Sequence, residues 1–573
     1  MDYSAVNTIW VLVGAALVFF MQAGFAMVET GFTRAKNAGN IIMKNLMDFC
    51  IGTPAFWLVG FGIMFGAGNG FFGRIGGIAS EANYGSAMLP NGVPFWAFLI
   101  FQTVFCATSA TIVSGAMAER TKFISYCIYS AVISAFIYPI SGHWIWGGGW
   151  LAQLGFHDFA GSTAVHMVGG VAAFIGALIL GPRIGKYDKN GKPRAILGHS
   201  LTLGALGVFI LWFCWFGFNG ASTVNAEGDQ LAAMGNIFTT TNLAAAVSTV
   251  TVMIITWIRY KKPDVSMTLN GSLAGLVAIT AGCDAVDTNG AFFIGLIAGF
   301  VVVFGIEFID KVLKVDDPVG AVGVHGLCGA TGTLMVGLFS CGNNGNELGL
   351  FYGGGFHLLG VQALGMISVI AWVAVTMTIV FQVLKHTIGL RCSREEELRG
   401  LDVTEHGISS AYGDFQMVPE VLDGKAAPVV AETAEATEVP VVHMPAEQAV
   451  SENGHKLTKV VMVFNQEHFE ALKAAMNSIG VTGMTVAQVL GYGVQKGRSV
   501  YYRGVKLDEA KLLPKMKVEV VVSKVPVETV VQTARKALYT GNVGDGKIFL
   551  YDVEDTIRVR TGERGYDALQ GDD

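Results

Sequence analysis

Eleven apolar stretches, each long enough to cross a bilayer, follow one another between residues 7 and 386. They run near 7–29, 41–66, 94–118, 123–142, 163–181, 197–219, 239–258, 268–285, 290–309, 321–340 and 356–386. A spanning helix needs about 20 such residues. Hydrocarbon supplies no hydrogen-bond partners, so each stretch must bond its own backbone and is expected to be a helix. Overall the chain is 52% hydrophobic and 14% charged, but those averages hide a split. Past about residue 390 the sequence turns charged and soluble in character. We therefore expect a membrane part over 1–390, a tail over 391–415, a tether over 416–456 and a soluble module over 457–573. The N-terminal MDYSAVNTIW lacks the basic region of a cleaved signal, so the first span is read as retained.

Basic residues orient the spans, because short cytoplasmic loops are enriched in Lys and Arg. Loops after odd-numbered spans hold Arg34, Lys36, Arg120, Lys122, Arg183, Lys186, Arg259, Lys261, Lys311 and Lys314. Loops after even-numbered spans hold Arg74 and otherwise acids such as Glu81, Asp158, Glu227 and Glu347. The N-terminus is thus expected outside and the C-terminal module in the cytoplasm.

Two histidines sit inside spans. His166 lies in STAVHMVGG and His325 in GAVGVHGLCG, in the fifth and tenth spans. An ionisable side chain in a span is costly and by default marks a functional path. The neighbouring Gly169, Gly170, Gly326 and Gly329 let helices or a ligand come close. Two five-span halves, each with a His in its last element, must be inverted relative to one another. A midplane site between inverted halves is a common transporter plan. Two histidines each hydrogen-bonded for structure alone is the competing reading. The residues themselves leave it at a transporter or channel with a His-containing path.

The eight cysteines are scattered and form no C-x-x-C pair, so no zinc site or disulfide framework is indicated. Buried thiols are preferred, with a Cys283–Cys341 pair left open. No nucleophile triad or metal cluster stands out, so an enzyme is not expected, and nothing points to a nucleic acid.

FQTVFCATSATIVSGAMAER, HWIWGGGWLAQLGFHDFAGSTAVHMVGG, LWFCWFGFNGAS and VDDPVGAVGVHGLCG fall in order along the chain, and GLRCSREEELRGLDVTEHGISSAYGDF follows the last span. Over this whole region the chain resembles the ammonium transporter (Amt/Rh) family. The resemblance implies an all-α polytopic fold with about eleven spanning helices in an inverted five-plus-five repeat, working as a homotrimer in the cell inner membrane. It implies that Trp146 and Ser222 recruit ammonium at the outer mouth with support from Asp158. Phe105 and Phe218 would close that mouth, and His166, His325 and Trp215 would line the pore. Transport itself would need no cofactor. Desolvation favours the neutral form of an amine, so ammonium entering a dry pore gives up a proton more easily. An imidazole pair can bond ammonia and relay that proton. Potassium has none to give up. A gas or urea channel is disfavoured by the implied cation-recruiting pair. A membrane sensor with little flux remains the alternative.

Residues 416–456, rich in Ala, Val, Pro and Glu, read as a flexible tether. From 457 the pattern becomes strand KVVMVF, helix EHFEALKAAMNSIG, strand MTVAQVLGYG, strand KMKVEVVVS, helix PVETVVQTARKALYTG and strand KIFLYDV, with IRVRT closing the unit. That order, βαββαβ, suggests an α+β ferredoxin-like fold. Gly with Lys and Arg in GYGVQKGRSVYYRGVKLDEAKLLPK and TGNVGDGKIF suits a phosphate, though a plain hairpin suits the pattern equally.

TGNVGDGKIF and IRVRTGE also resemble the PII signal-transduction proteins. The resemblance implies an adenine-nucleotide (ATP/ADP) site built from Thr485, Gly493, Gly544, Asp545, Gly546, Lys547, Arg558 and Arg560. It assigns Gln495 and Lys515 to magnesium and 2-oxoglutarate. Asn465-Gln466 stands where the family commonly has Lys-Pro, which removes one cation from the 2-oxoglutarate site. Leu507 stands at the modifiable Tyr position, so uridylylation is not expected. Tyr502-Arg503-Gly504 is retained, and Arg503 would block the pore of the same chain according to nucleotide state.

Overall fold

The computed structural model describes residues 3–90, 92–408, 411–412, 456–465, 468–481, 483–491, 501–502, 505–506, 513–539 and 545–569. The chain divides into two units. The expected tether lies outside the described residues apart from Lys456.

The first unit is helical. Its elements are α1 (Ala5–Phe32), α2 (Ala35–Phe65), α3 (Phe95–Ala116), α4 (Phe123–Gln153), α5 (Ser162–Leu180), α6 (Leu201–Thr223), α7 (Gln230–Tyr260), α8 (Val265–Ile279), α9 (Thr288–Leu313), α10 (Val322–Phe339) and α11 (His357–His386). Ten of these, all but α8, are long and apolar enough to cross a membrane. The eighth expected span is the exception. α8 has 15 residues, about 22 Å at 1.5 Å per residue, short of a roughly 30 Å hydrocarbon core. The apolar stretch runs on, but Thr280–Ala285 turns away from the helix, and Asp284 there takes a hydrogen bond from His157 at 2.9 Å.

Local chemistry sets the helix ends. Ser4, Ser200, Asp264 and Asp287 each accept a first-turn backbone N–H of the helix they precede, meeting part of the donor deficit at a helix start. Pro54 cannot donate inside α2, and a π turn follows at Phe56–Gly60. All eight thiols are free, so Cys283 and Cys341 do not pair.

The basic residues used for orientation gather at one end, where several are buried in ion pairs. Glu119 accepts from Arg34 Nε at 2.6 Å and Arg183 Nη1 at 3.2 Å. Arg183 forks onto Asp316 through Nε and Nη2 at 2.8 and 2.9 Å. Burial pushes the Glu119 carboxyl up, but the Arg34 and Arg183 guanidiniums outweigh it and hold the group down at about 2. Asp316 is held well below the ordinary range by Arg183 and Arg120 in the same way. The tail docks here as well. Asp402 accepts from the N–H groups of Gly39 and Asn40 at 3.0 and 2.8 Å. Glu397 takes Arg391 Nη2 and the Ile184 N–H, both at 2.7 Å.

Removing one partner of such a buried set strands the others, at about 3–5 kcal/mol. Arg183→Leu is therefore expected to lower the thermal unfolding midpoint in detergent sharply. Glu119's folded pKa lies below its ordinary 4.5, so its contribution is complete above that pH and is lost as pH falls toward 2. Acid unfolding of wild type should steepen in that window, and less so in Arg183→Leu.

The second unit has the expected α+β order. Its elements are β1 (Thr458–Asn465), α12 (Phe469–Ser478), β2 (Thr485–Gly491), β5 (Leu513–Val522), α13 (Val527–Leu538) and β6 (Lys547–Asp552), and the two-residue strands β3 (Tyr501–Tyr502) and β4 (Val505–Lys506) fall between β2 and β5 along the chain. The sheet order is β2-β5-β1-β6, with antiparallel neighbours throughout. Val460, Met462 and Phe464 alternate along β1, and Val518, Val520 and Val522 along β5, on one buried face. Leu472 and Met476 of α12 with Val530, Ala534 and Leu538 of α13 cover it. The closing IRVRT makes only a bridge, Ile557 to Arg564, rather than a strand.

Candidate functional site

His166 and His325 are brought together. Their Nδ1 atoms lie 3.2 Å apart and their rings are near parallel, 5.2 Å between centroids. At that distance one Nδ1 carries the proton and the other accepts it, so the two rings form a proton-sharing couple. Both are buried, at 0% and 4% exposure. Each sits on a π turn, Ser162–Met167 opening α5 and Val322–Leu327 opening α10. Close approach of the two helices requires glycine. A Cβ on Gly170 would stand 2.1 Å from the Gly326 backbone nitrogen.

The turns are held alike, each by one carboxylate taking three backbone N–H groups. Asp158 accepts the N–H groups of Gly161, Thr163 and Ala164 at 3.0, 2.9 and 2.8 Å. Asp317 accepts those of Gly320, Ala321 and Val322 at 3.0, 3.0 and 2.8 Å. Each acid stands eight residues before its histidine, with a positive-φ glycine (Gly161, +114°; Gly320, +84°) three residues after the acid. The spacing Asp-x-x-Gly-x-x-x-x-His is therefore an internal repeat. Asp317 was missed as a site residue, although that spacing is visible in the sequence.

On one side of the couple is a stack of rings. Trp215 lies parallel to His166 at 5.0 Å, its Nε1 held by Thr280 Oγ1 at 2.8 Å. Phe218 stands 5.3 Å from His166 and 4.3 Å from Phe105. Beyond the two phenylalanines opens a cavity of about 420 Å³ lined by Trp146, Ser222, Phe105, Phe101, Gln102 and Phe159 among others. Trp146 Nε1 donates to the Asp158 carbonyl at 2.7 Å, which fixes the indole while its face stays available. Ser222 Oγ donates to the Phe218 carbonyl at 2.7 Å, so its lone pairs remain to accept from a guest. Asp158 thus serves both the turn beneath His166 and the Trp146 anchor. Burial pushes its carboxyl up, and the three N–H groups oppose that. Burial pushes the adjacent His157 down, but Asp284 outweighs it, so the imidazole is raised.

In the second unit, Lys515 donates to Asn465, the residue that stands where the PII resemblance leads one to expect a lysine. Gly546, at φ +124°, lies against β1, where a Cβ would meet the Val463 carbonyl at 2.3 Å. Asp545, Gly546 and Lys547 therefore come to the Asn465–Lys515 end of the sheet. Thr485 opens β2 opposite Glu519. Arg558 pairs with Glu563 at 2.8 Å, and Arg560 is exposed. Gly493, Gln495, Arg503, Gly544 and Leu507 lie outside the described residues.

A model of the Ammonium Transporter Family matches residues 9–412. The chain belongs to the ammonium transporter family. A model of nitrogen regulatory protein P-II matches residues 457–563, so this transporter-family chain carries a P-II domain fused at its C-terminal side. It is 47% identical over 429 residues to ammonium transporter Amt2 of Archaeoglobus fulgidus, covering 72% of this chain and 89% of that one. Ammonium transporter 1 member 3 of Solanum lycopersicum is 36% identical over 432 residues, 70% and 92% of the two chains. Among solved structures, one described as a sensor Amt protein superposes with TM-score 0.65 at 41% identity, over 70% of this chain and 98% of its own. Candida albicans Mep2 does so with TM-score 0.61 at 27% identity, over 69% and 88%. The Archaeoglobus fulgidus and Solanum lycopersicum relatives are transporters by name, and the chain is a multi-pass membrane protein of their family.

Proposed function

We propose that the chain carries ammonium across the cell inner membrane, from an outer mouth at Trp146 and Ser222 to a cytoplasmic Arg-rich end. What carries this reading is the proton-sharing histidine couple lying beneath a ring-closed cavity. A bare ammonium ion pays heavily to enter an apolar conduit. The Trp146 face supplies cation–π attraction and Ser222 an acceptor, replacing part of its hydration. Past Phe105 and Phe218 the ion meets aromatic walls and loses a proton to the couple. Ammonia passes on neutral, and the proton is returned on the inner side, for net ammonium uptake. Charge movement in proteoliposomes on a solid-supported membrane tests this. An ammonium current with none for potassium is expected, and no ammonium current would overturn it. Trp146→Leu should raise the half-saturating ammonium concentration about tenfold, since a desolvated cation–π contact is worth about 1–2 kcal/mol.

The P-II domain supports a regulatory role for adenine nucleotide in cis. ATP or ADP would bind Thr485, Gly493, Gly544, Asp545, Gly546, Lys547, Arg558 and Arg560 in a homotrimer. Gln495 and Lys515 would contact magnesium, and the Lys515–Asn465 bond weighs against 2-oxoglutarate. Arg503 would block the pore. Deleting 457–573 should remove the response of uptake to ATP and ADP, and an unchanged response would exclude the gate. The sensor relative, at 41% identity, favours a second reading in which the couple reports ammonium occupancy with little flux. Wild-type protein that binds ammonium without current would select it.

A further inference from the structure

Below the couple, on the side away from Trp146, lies a small cavity of about 20 Å³. His325, Glu29 and Asn270 supply its polar lining, among Phe25, Val319 and Val324. That volume holds about one water when polar partners surround it. We propose that Glu29 is the group that takes the proton from the histidine couple on the inner side, a step that rests on the transport reading above.

The histidines can hold a proton, but steady flux requires that they be emptied. Nδ1 of His325 is engaged by His166, so Nε2 is the ring atom left to discharge it. Three ionisable side chains are buried along α1 and α2, namely Glu29, Lys44 and Asp48. Asp48 is saturated by the hydroxyls of Tyr126 and Ser130. Lys44 Nζ makes no hydrogen bond and lies over the Tyr126 ring at 5.2 Å. Of the three, Glu29 is the one that shares a cavity with His325. It is 3% exposed, and its Oε2 accepts from Asn45 Nδ2 at 3.2 Å. Asn270 Nδ2 is buried in the same lining without a partner, a donor suited to fix a bridging water. A carboxylate buried this completely in the last turn of a span has a large burial cost unless it works.

The step balances without another reactant. The N–H bond of the protonated His325 breaks, directly or through one cavity water, and an O–H bond forms on Glu29. Glu29 then releases that proton to water at the cytoplasmic end, where ammonia regains one.

Glu29→Gln keeps the shape and the Asn45 contact but cannot accept a proton. In proteoliposomes its ammonium current is expected to fall on the order of 10²-fold, the scale of a lost proton-transfer group. Ammonium binding to the purified protein and its thermal unfolding midpoint should stay at wild-type values, and Glu29→Asp should recover part of the current. A purely structural Glu29 would lower the current and the unfolding midpoint together, and a wild-type current in Glu29→Gln overturns the proposal alone. No current from wild type would overturn the transport reading and this step together. Infrared difference spectra read the same event without removing the group. Adding ammonium to wild type should raise a carboxylic C=O band that shifts in Glu29→Asp, and its absence counts against Glu29.

Discussion

Replacing both His166 and His325 by alanine is expected to abolish ammonium current while costing less stability than the two single changes added together. The couple is one hydrogen bond between two Nδ1 atoms 3.2 Å apart. A single truncation leaves the surviving ring with an unmet polar atom in a buried site, at about 1–3 kcal/mol. The double change removes both partners and leaves only a cavity beside Trp215. Neighbours in one bond are non-additive, so the double variant should sit well above the sum of the singles in unfolding free energy. Function should follow the opposite course. A proton shared between two rings is lost as soon as one is gone, so each single variant should already lose about 10²-fold or more in current. Thermal unfolding and solid-supported-membrane currents on the same four preparations decide it. Selective, electrogenic ammonium currents in the double variant would remove the relay from the mechanism.

The membrane part was legible because hydropathy is a strong signal when a span must satisfy its own backbone. Ten of eleven expected spans are helices of crossing length. The eighth is short because a turn carrying Asp284 ends it, and hydropathy averages over such a turn. The histidine couple was legible from two ionisable residues in apolar surroundings, and Gly170 beside Gly326 explains how the rings can meet. What the pattern did not give was how the turns are held. Asp317 went unnoticed because an acid at a span end reads as a loop residue, yet it repeats the Asp158 spacing to the residue. Glu29 was hidden for a different reason: it closes the first expected span, near 7–29, and its cavity is made largely by side chains from other helices. In the P-II domain, alternation along β1 and β5 fixed the strands. IRVRT alternates equally well but finds no partner strand among the described residues, so local pattern overstated it.

The repeat makes a second large effect testable, because Asp158 and Asp317 do the same structural work at opposite ends of the path. Asp158→Ala and Asp317→Ala each leave three backbone N–H groups of a buried turn without an acceptor. Each should cost on the order of 3 kcal/mol or more, read as comparable falls in unfolding temperature. Their transport effects should differ. The Asp158 carbonyl also anchors Trp146 Nε1, and that carbonyl moves when its turn relaxes. Asp158→Ala should therefore weaken half-saturation for ammonium as well as maximal current. Asp317 has no such link to Trp146 or Ser222, so Asp317→Ala should lower maximal current with half-saturation near wild type. Asp158→Asn keeps one acceptor oxygen and should fall between wild type and alanine in both respects. Equal loss of apparent affinity in the two alanine variants would mean that Trp146 and Ser222 do not form the recruiting mouth, since damage beneath His325 should leave that mouth intact.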